Sequence, residues 1–238
     1  MVAKGTYGEL PAPPPTPGLN DSVGRPWPAE PIDGCATEHP LTLLEPLLVN
    51  ALDKAALPVA ATLIETFGSL AAVLAAGKWR LAQVPGMTEA AARVLEAAHA
   101  AARWAAEEQI RERDLLDNPQ AVAAYLRISL RCLPVEEAHG LFLDARNRLI
   151  RDQLLSRGIV NHVPLYPREV VRHALDCHAS AVILAHNHPS GDPSPSVADI
   201  DSSRQIARAL AAVDVALHDH LIVGENRIAS LRALGLFQ

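Results

Sequence analysis

His186, His188 and Asp199 place two imidazole nitrogens and one carboxylate oxygen in one short stretch, residues 179–200, ASAVILAHNHPSGDPSPSVADI. Such a donor set suits zinc and leaves a fourth position for water, the arrangement of a catalytic rather than a structural site. Ser196 completes an H-x-H-x7-S-x2-D spacing. A lone loop histidine is ordinarily a solvated side chain, and HPSG alone is ordinarily a turn. The four residue types at fixed offsets carry the argument.

The elements around these residues must aim them. Ala181 to Ala185 is a short apolar run, which reads as a buried strand. Alternate strand positions point the same way, so His186 and His188 leave its tip side by side. Asn187 between them points away and is expected to fix the loop. Val197 to Val213 reads as a helix with Ser196 as N-cap. Asp199 then lies in the first turn, near the positive end of the helix dipole.

Other metal chemistries fail on pattern. Zinc deaminases need H-x-E and a later P-C-x-x-C, and the chain has neither. A barrel hydrolase with an early H-x-H strand needs far more than the about fifty residues that follow His188. No Ser-His-Asp grouping makes Ser196 a nucleophile. His162, His173, His178 and His218 have no ligand spacing to each other. His220 beside Asp219 could form a supporting pair, but a strand histidine more often serves the structure alone. Arg168 and Glu169 read as helix capping and pairing residues.

Composition narrows the class. At 49% hydrophobic, the 238 residues can bury a core, and with only 4% aromatics that core must be aliphatic and alanine-rich. A net charge of −6 argues against a strongly basic nucleic-acid binder. No run approaches eighteen apolar residues, and the start MVAKGTYGELPAPPP lacks a signal-peptide core, so neither a membrane span nor export is expected. Cys35, Cys132 and Cys177 form no C-x-x-C and fit a reduced cytoplasm.

Along the chain, residues 1–38 are proline-rich, lack hydrophobic period and are expected to be a disordered tail. Residues 39–113 read as an all-helical domain. Thr42 is expected to cap a first helix through Leu52, and Pro58 to open a second that ends at Gly68. Ser69 starts a third, and a long helix runs from Thr88 to about Glu108. Asn118-Pro119 then opens a second domain, 118–238, as N-cap and first helical residue. Its order reads strand, strand, helix, strand, helix, strand, strand. The first two strands are centred on Leu141-Phe142-Leu143 and on Leu149 to Val160. The later helix starts at Pro167, and the last strands are Val215 to Val223 and Ile228 to Leu231.

H-x-H-x7-S-x2-D with His186, His188, Ser196 and Asp199 is similar to the signature of the JAMM (MPN-plus) metalloproteases. FLDARNRLI, PREVV, AHNHPSGDPSPS and DHLIVG resemble the RadC branch, so the likeness covers about residues 118–238. It implies an α/β fold: an MPN-type, cytidine-deaminase-like mixed sheet flanked by helices. It also implies a zinc-dependent hydrolase of amide or isopeptide bonds acting on a protein or peptide. A glutamate at an early strand would be its base and Ser196 its oxyanion donor. Counting back from FLD in the family's wording selects Glu136, with Glu137 as competitor, since a one-residue slip reverses the face. The segment around Leu81 to Thr88 resembles a helix-hairpin-helix unit, a module that holds DNA phosphates on exposed N–H groups. Here Gly86-Met87-Thr88 lacks the usual second glycine, so residues 40–113 are expected to be a helical packing or interaction module, with weak DNA binding as the less favoured reading. The family's old DNA-repair label keeps a repair accessory or nuclease as the alternative, and a non-catalytic interaction module as a third.

Overall fold

A computed structural model describes residues 39–111, 113–158 and 164–237. The proline-rich tail lies outside these residues. Five strands form one sheet in the order β2-β1-β3-β4-β5. They are β1 Glu137–Leu143, β2 Leu149–Arg157, β3 Ala181–Asn187, β4 Ala216–Val223 and β5 Ile228–Ser230. β1 runs antiparallel to β2 and β3, β4 is parallel to β3, and β5 is antiparallel to β4. The sheet is therefore mixed, as expected.

The central strands bury both faces, because helices cover each. Leu141, Ile183, Ala185 and Leu221 pack on one side with Val122, Leu126 and Leu130 of α6, Pro119–Leu130. On the other side lie Phe142, Val182 and Leu184. They meet Val170 and Ala174 of α7, Pro167–Asp176, and Ile206 and Leu210 of α8, Val197–Ala211. Period-two alternation along β1 and β3 feeds the two cores in turn.

A separate aliphatic core lies upstream. It is built from α1 Pro40–Leu52, α2 Ala56–Phe67, α3 Leu70–Ala75, α4 Gly77–Leu81 and α5 Glu89–Arg111. Leu44, Leu48, Ala60, Leu63, Val73, Leu81, Ala91 and Leu95 are fully buried in it. α5 enters two cores: Ala91, Ala92 and Leu95 pack in this one, and Ile110 packs under the sheet.

Several boundaries differ from the sequence reading. His39, not Thr42, caps α1, because Pro40 takes the favoured first helical position; the Thr42 hydroxyl donates to the His39 carbonyl instead. Pro58 is the third residue of α2, since the helix grows out of a 3-10 turn over Asp53–Ala55. α4 was not anticipated; one helical turn carries little periodicity. Asn118 and Pro119 do take the N-cap and first helical positions of α6 as expected, though the Asn118 side chain makes no capping bond. β2 ends at Arg157, and Gly68 and Ser69 take their expected capping roles.

Pro40–Phe67 is in sum long and apolar enough to cross a membrane, with hydropathy 1.5. The chain breaks it into two paired helices at Asp53, whose φ is 49°. Thirteen residues of α1 reach only about 20 Å of the roughly 30 Å bilayer core.

Where α5, α6 and β2 meet, a polar knot is buried. Asp152, with 4% of its side chain exposed, accepts from Tyr125, from His139 Nδ1 at 2.7 Å and from Arg103 at 3.2 Å. Desolvation opposes the ionised carboxyl, but these donors outweigh it and hold its pKa below the ordinary value.

Candidate metal centre

β3 ends at Asn187, so His186 is the last inward-facing residue of the strand and His188 the first beyond it. The HPSG turn then folds back. Gly191 takes φ +81°, and Gly224 at the end of β4 lies so close that an added Cβ would sit 2.5 Å from the Gly191 carbonyl. Glycine at 224 is thus required for the loop to seat on β4. Asn187 ties the loop to the strand opposite: its Oδ1 accepts from Glu137 N at 2.8 Å, and its Nδ2 donates to Val135 O at 3.1 Å.

α8 delivers the carboxylate. Ser196 and Asp199 form a reciprocal capping box. Ser196 Oγ accepts from Asp199 N at 3.1 Å and donates to Asp199 Oδ2 at 2.7 Å, and Ser196 N donates to the same oxygen at 2.8 Å. The cap engages Asp199 Oδ2 and leaves Oδ1 facing His186.

The donor atoms converge. His186 Nε2 is 3.0 Å from His188 Nε2 and 3.4 Å from Asp199 Oδ1, and His188 Nε2 is 3.7 Å from Asp199 Oδ2. Tetrahedral zinc with bonds of about 2.0–2.1 Å separates its ligands by about 3.3 Å. The three side chains therefore fit zinc as they stand, and they are the group among the described residues that could hold a metal.

The tautomers point the same way. His188 Nδ1 lies 2.8 Å from the Asp192 carbonyl, which can only accept, so Nδ1 carries the proton and the neutral ring presents Nε2 as a lone pair. For His186 a longer chain decides. Ser203 Oγ donates to the Asp199 carbonyl at 2.5 Å and so accepts from His220 Nδ1 at 2.6 Å. His220 Nε2 must then accept from His186 Nδ1, 2.8 Å away. His186 Nε2 is left as a second lone pair. Two such lone pairs facing at 3.0 Å repel unless a cation, either a metal ion or a proton on His188, lies between them.

The electrostatics follow. Burial above all pushes His186 well below the usual imidazole pKa, and any charge on neighbouring His220 would push it in the same direction. Burial also takes His220 down to about 4, so both rings are neutral. The hydrogen bond with Asp199, and more weakly the charge of Glu136, pulls His188 upward against its partial burial. Burial opposes ionisation of Asp199, but His188, His186 and Ser196 hold its carboxyl far below the ordinary range.

The two candidate bases part company. Ala138 lies opposite His186 in the β1–β3 register. Stepping back two residues puts Glu136 on the His186 face and Glu137 on the other. Glu136 is buried with 7% exposure. Glu137 Oε1 accepts from Arg157 Nε at 2.7 Å, and Oε2 lies 3.7 Å from His139.

His220 and Ser203 join this centre; the sequence reading weighed a supporting pair of His220 with Asp219 but favoured a structural role, and gave Ser203 no part. His220 acts through His186, not through Asp219, whose carboxylate accepts from Ser230 and Arg232. Ser203 lies four residues after Asp199 on the same helix face, a spacing that could have drawn attention to it. His220→Ala is expected to weaken zinc binding about 10- to 100-fold, the usual effect of losing a ligand's supporting partner. Competition with a chromogenic chelator measures it, with circular dichroism reporting the fold.

Residues 116–236 match the RadC-like JAB domain family. The chain belongs to that family. A UPF0758 protein of Rhodobacter capsulatus is 46% identical over 195 residues, 82% of this chain and 91% of the relative. The likeness to that relative thus extends beyond the JAB match. RadC membership agrees with the mixed sheet and, at family level, with a JAMM-type metallohydrolase.

Proposed function

We propose that the chain is a zinc-dependent metallohydrolase that cleaves an amide or isopeptide bond in a protein or peptide. The observation that carries this reading is the convergence of His186 Nε2, His188 Nε2 and the Asp199 carboxylate, 3.0, 3.4 and 3.7 Å from one another. His186, His188 and Asp199 would hold the ion. Bound zinc would supply a Lewis acid and an acidified water. Glu136 takes the proton of the attacking water and passes it to the leaving nitrogen. Ser196 donates to the oxyanion, which requires its proton to turn away from Asp199 Oδ2. The free Cys132 and Cys177 fit a reducing cytoplasm. Purified protein should carry about one zinc per chain, and cleavage of a peptide and isopeptide library should stop with chelator and return with zinc. Library members uncut by the zinc-loaded chain throughout would defeat the reading.

Ser196→Ala separates its two roles. Turnover should fall about 10²- to 10³-fold for the lost oxyanion donor, and stability by about 1 kcal/mol for the lost cap. Ser196→Thr should restore both. If Ser196→Ala lowers the melting temperature but leaves kcat unchanged, the hydroxyl is a cap alone.

DNA binding through residues 40–113 is the second reading, and the ion pairs weigh against it. Lys78 and Arg93, beside the hairpin-like turn, both bind Glu89 at the start of α5, at 2.7 and 2.8 Å. The Lys78 hydrogen bond, then that of Arg93, takes Glu89 down to about 2. An acid already occupies the place a phosphate would take.

A further inference from the structure

A cleft of about 780 Å³ separates the helical core from the JAB domain, within the size range of ligand sites. One wall is the end of α2 with Phe67, together with Arg80 of α4. The other is formed by Arg131 to Pro134 and by Pro189 to Gly191. Those two loops are the ones that carry the chemistry: Pro134 lies two residues before Glu136, and Pro189 follows His188 directly. Asn187 bonds them to each other. The cleft is thus lined by residues that adjoin the metal centre along the chain.

Charge defines what fits. Among the described residues neither Arg80 nor Arg131 forms an ion pair. The Arg80 guanidinium lies 5.0 Å from the Phe67 ring centroid, which orients it without neutralising it. Arg131 follows Arg127 by one helical turn, and Arg127 is spent on the Asn226 carbonyl at 3.0 Å. Glu225 shares the lining. Nucleic acid fits poorly, because Arg80 already lies over the Phe67 ring that could otherwise stack a base.

We propose that this cleft binds an extended, acidic segment of the polypeptide substrate, with Arg80 and Arg131 receiving its carboxylates. The inference rests on the hydrolase reading and names the substrate class for it. Arginine suits the task, because its planar fork bonds a carboxylate through two parallel N–H groups.

The test uses fluorescein-labelled peptides rich in Asp and Glu, matched peptides with Asn and Gln, and labelled oligothymidine. Binding to the full chain is read by fluorescence anisotropy, with and without zinc. The acidic peptides should bind tightest. Arg80→Ala with Arg131→Ala should weaken them about 100-fold, about tenfold per arginine. The double lysine variant should recover part of the affinity, and Arg93→Ala, on the exposed side of α5, should leave it unchanged. Equal binding by the double alanine variant would overturn the proposal. So would absence of peptide binding, or tighter arginine-dependent binding of the oligonucleotide. Arginine-dependent peptide binding without zinc-dependent cleavage would instead defeat the hydrolase reading and keep the acid-binding cleft.

Discussion

Asp199→Ala is expected to abolish zinc binding and hydrolysis together. The carboxylate is the one anionic donor of the set, and it stands 3.4 Å from His186 Nε2 and 3.7 Å from His188 Nε2. Without it, two neutral imidazoles must hold a doubly charged ion in a mostly buried site. The variant also loses the N3 half of the capping box, so some stability goes with it. Asp199→Asn separates the two effects. An amide oxygen can still accept from Ser196 N, so the helix start survives, but a neutral amide is a far weaker zinc ligand. Elemental analysis should find about one zinc in the native chain and almost none in either variant. Acid should act in the same direction. The His188 pKa is raised, and its proton occupies the lone pair that the metal needs. Zinc affinity must therefore fall as the pH drops through that raised value. Full zinc content in Asp199→Asn would remove the assignment.

Glu136→Gln should keep zinc and fold while losing about 10²- to 10⁴-fold in turnover, the range of a general base. The glutamine retains size and hydrogen bonding but cannot take a proton. The contrast is Glu137→Gln. Its parent faces Arg157 and His139 on the opposite side of β1, so the substitution should affect stability and leave kcat near native. Arg157 is largely exposed, so the stability loss should be small. A dead Glu137→Gln with an active Glu136→Gln would place the base one residue later. Undiminished turnover in both, and in the double variant, would exclude either acid as base.

The candidate metal ligands could be picked out in the sequence because they are local. His186 and His188 alternate at one strand end, and Asp199 lies one turn into the next helix, so one stretch of chain contains the whole donor set. The relay behind them was not legible, because it depends on tertiary pairing. His220 reaches His186 only through the parallel β3–β4 register, which slips between Val182 and Ile183. Ser203 reaches His220 only once α8 lies on the sheet. The knot of Arg103, Tyr125, His139 and Asp152 was missed for the same reason: its members come from four elements and share no motif. The mixed sheet was legible from the strand and helix order together with the family likeness. The start of α1 and the existence of α4 were not, since both turn on single-residue capping choices.

The reach of α5 into two cores means that the chain cannot be divided cleanly at the end of that helix. A fragment beginning at residue 118 would lack Ile110, leaving an apolar hollow under β1 and α6. It would also lack Arg103, so Asp152 would remain buried with one cation fewer. The two halves should accordingly melt as a single cooperative unit. The shortest self-sufficient fragment containing His186, His188 and Asp199 must keep the second half of α5.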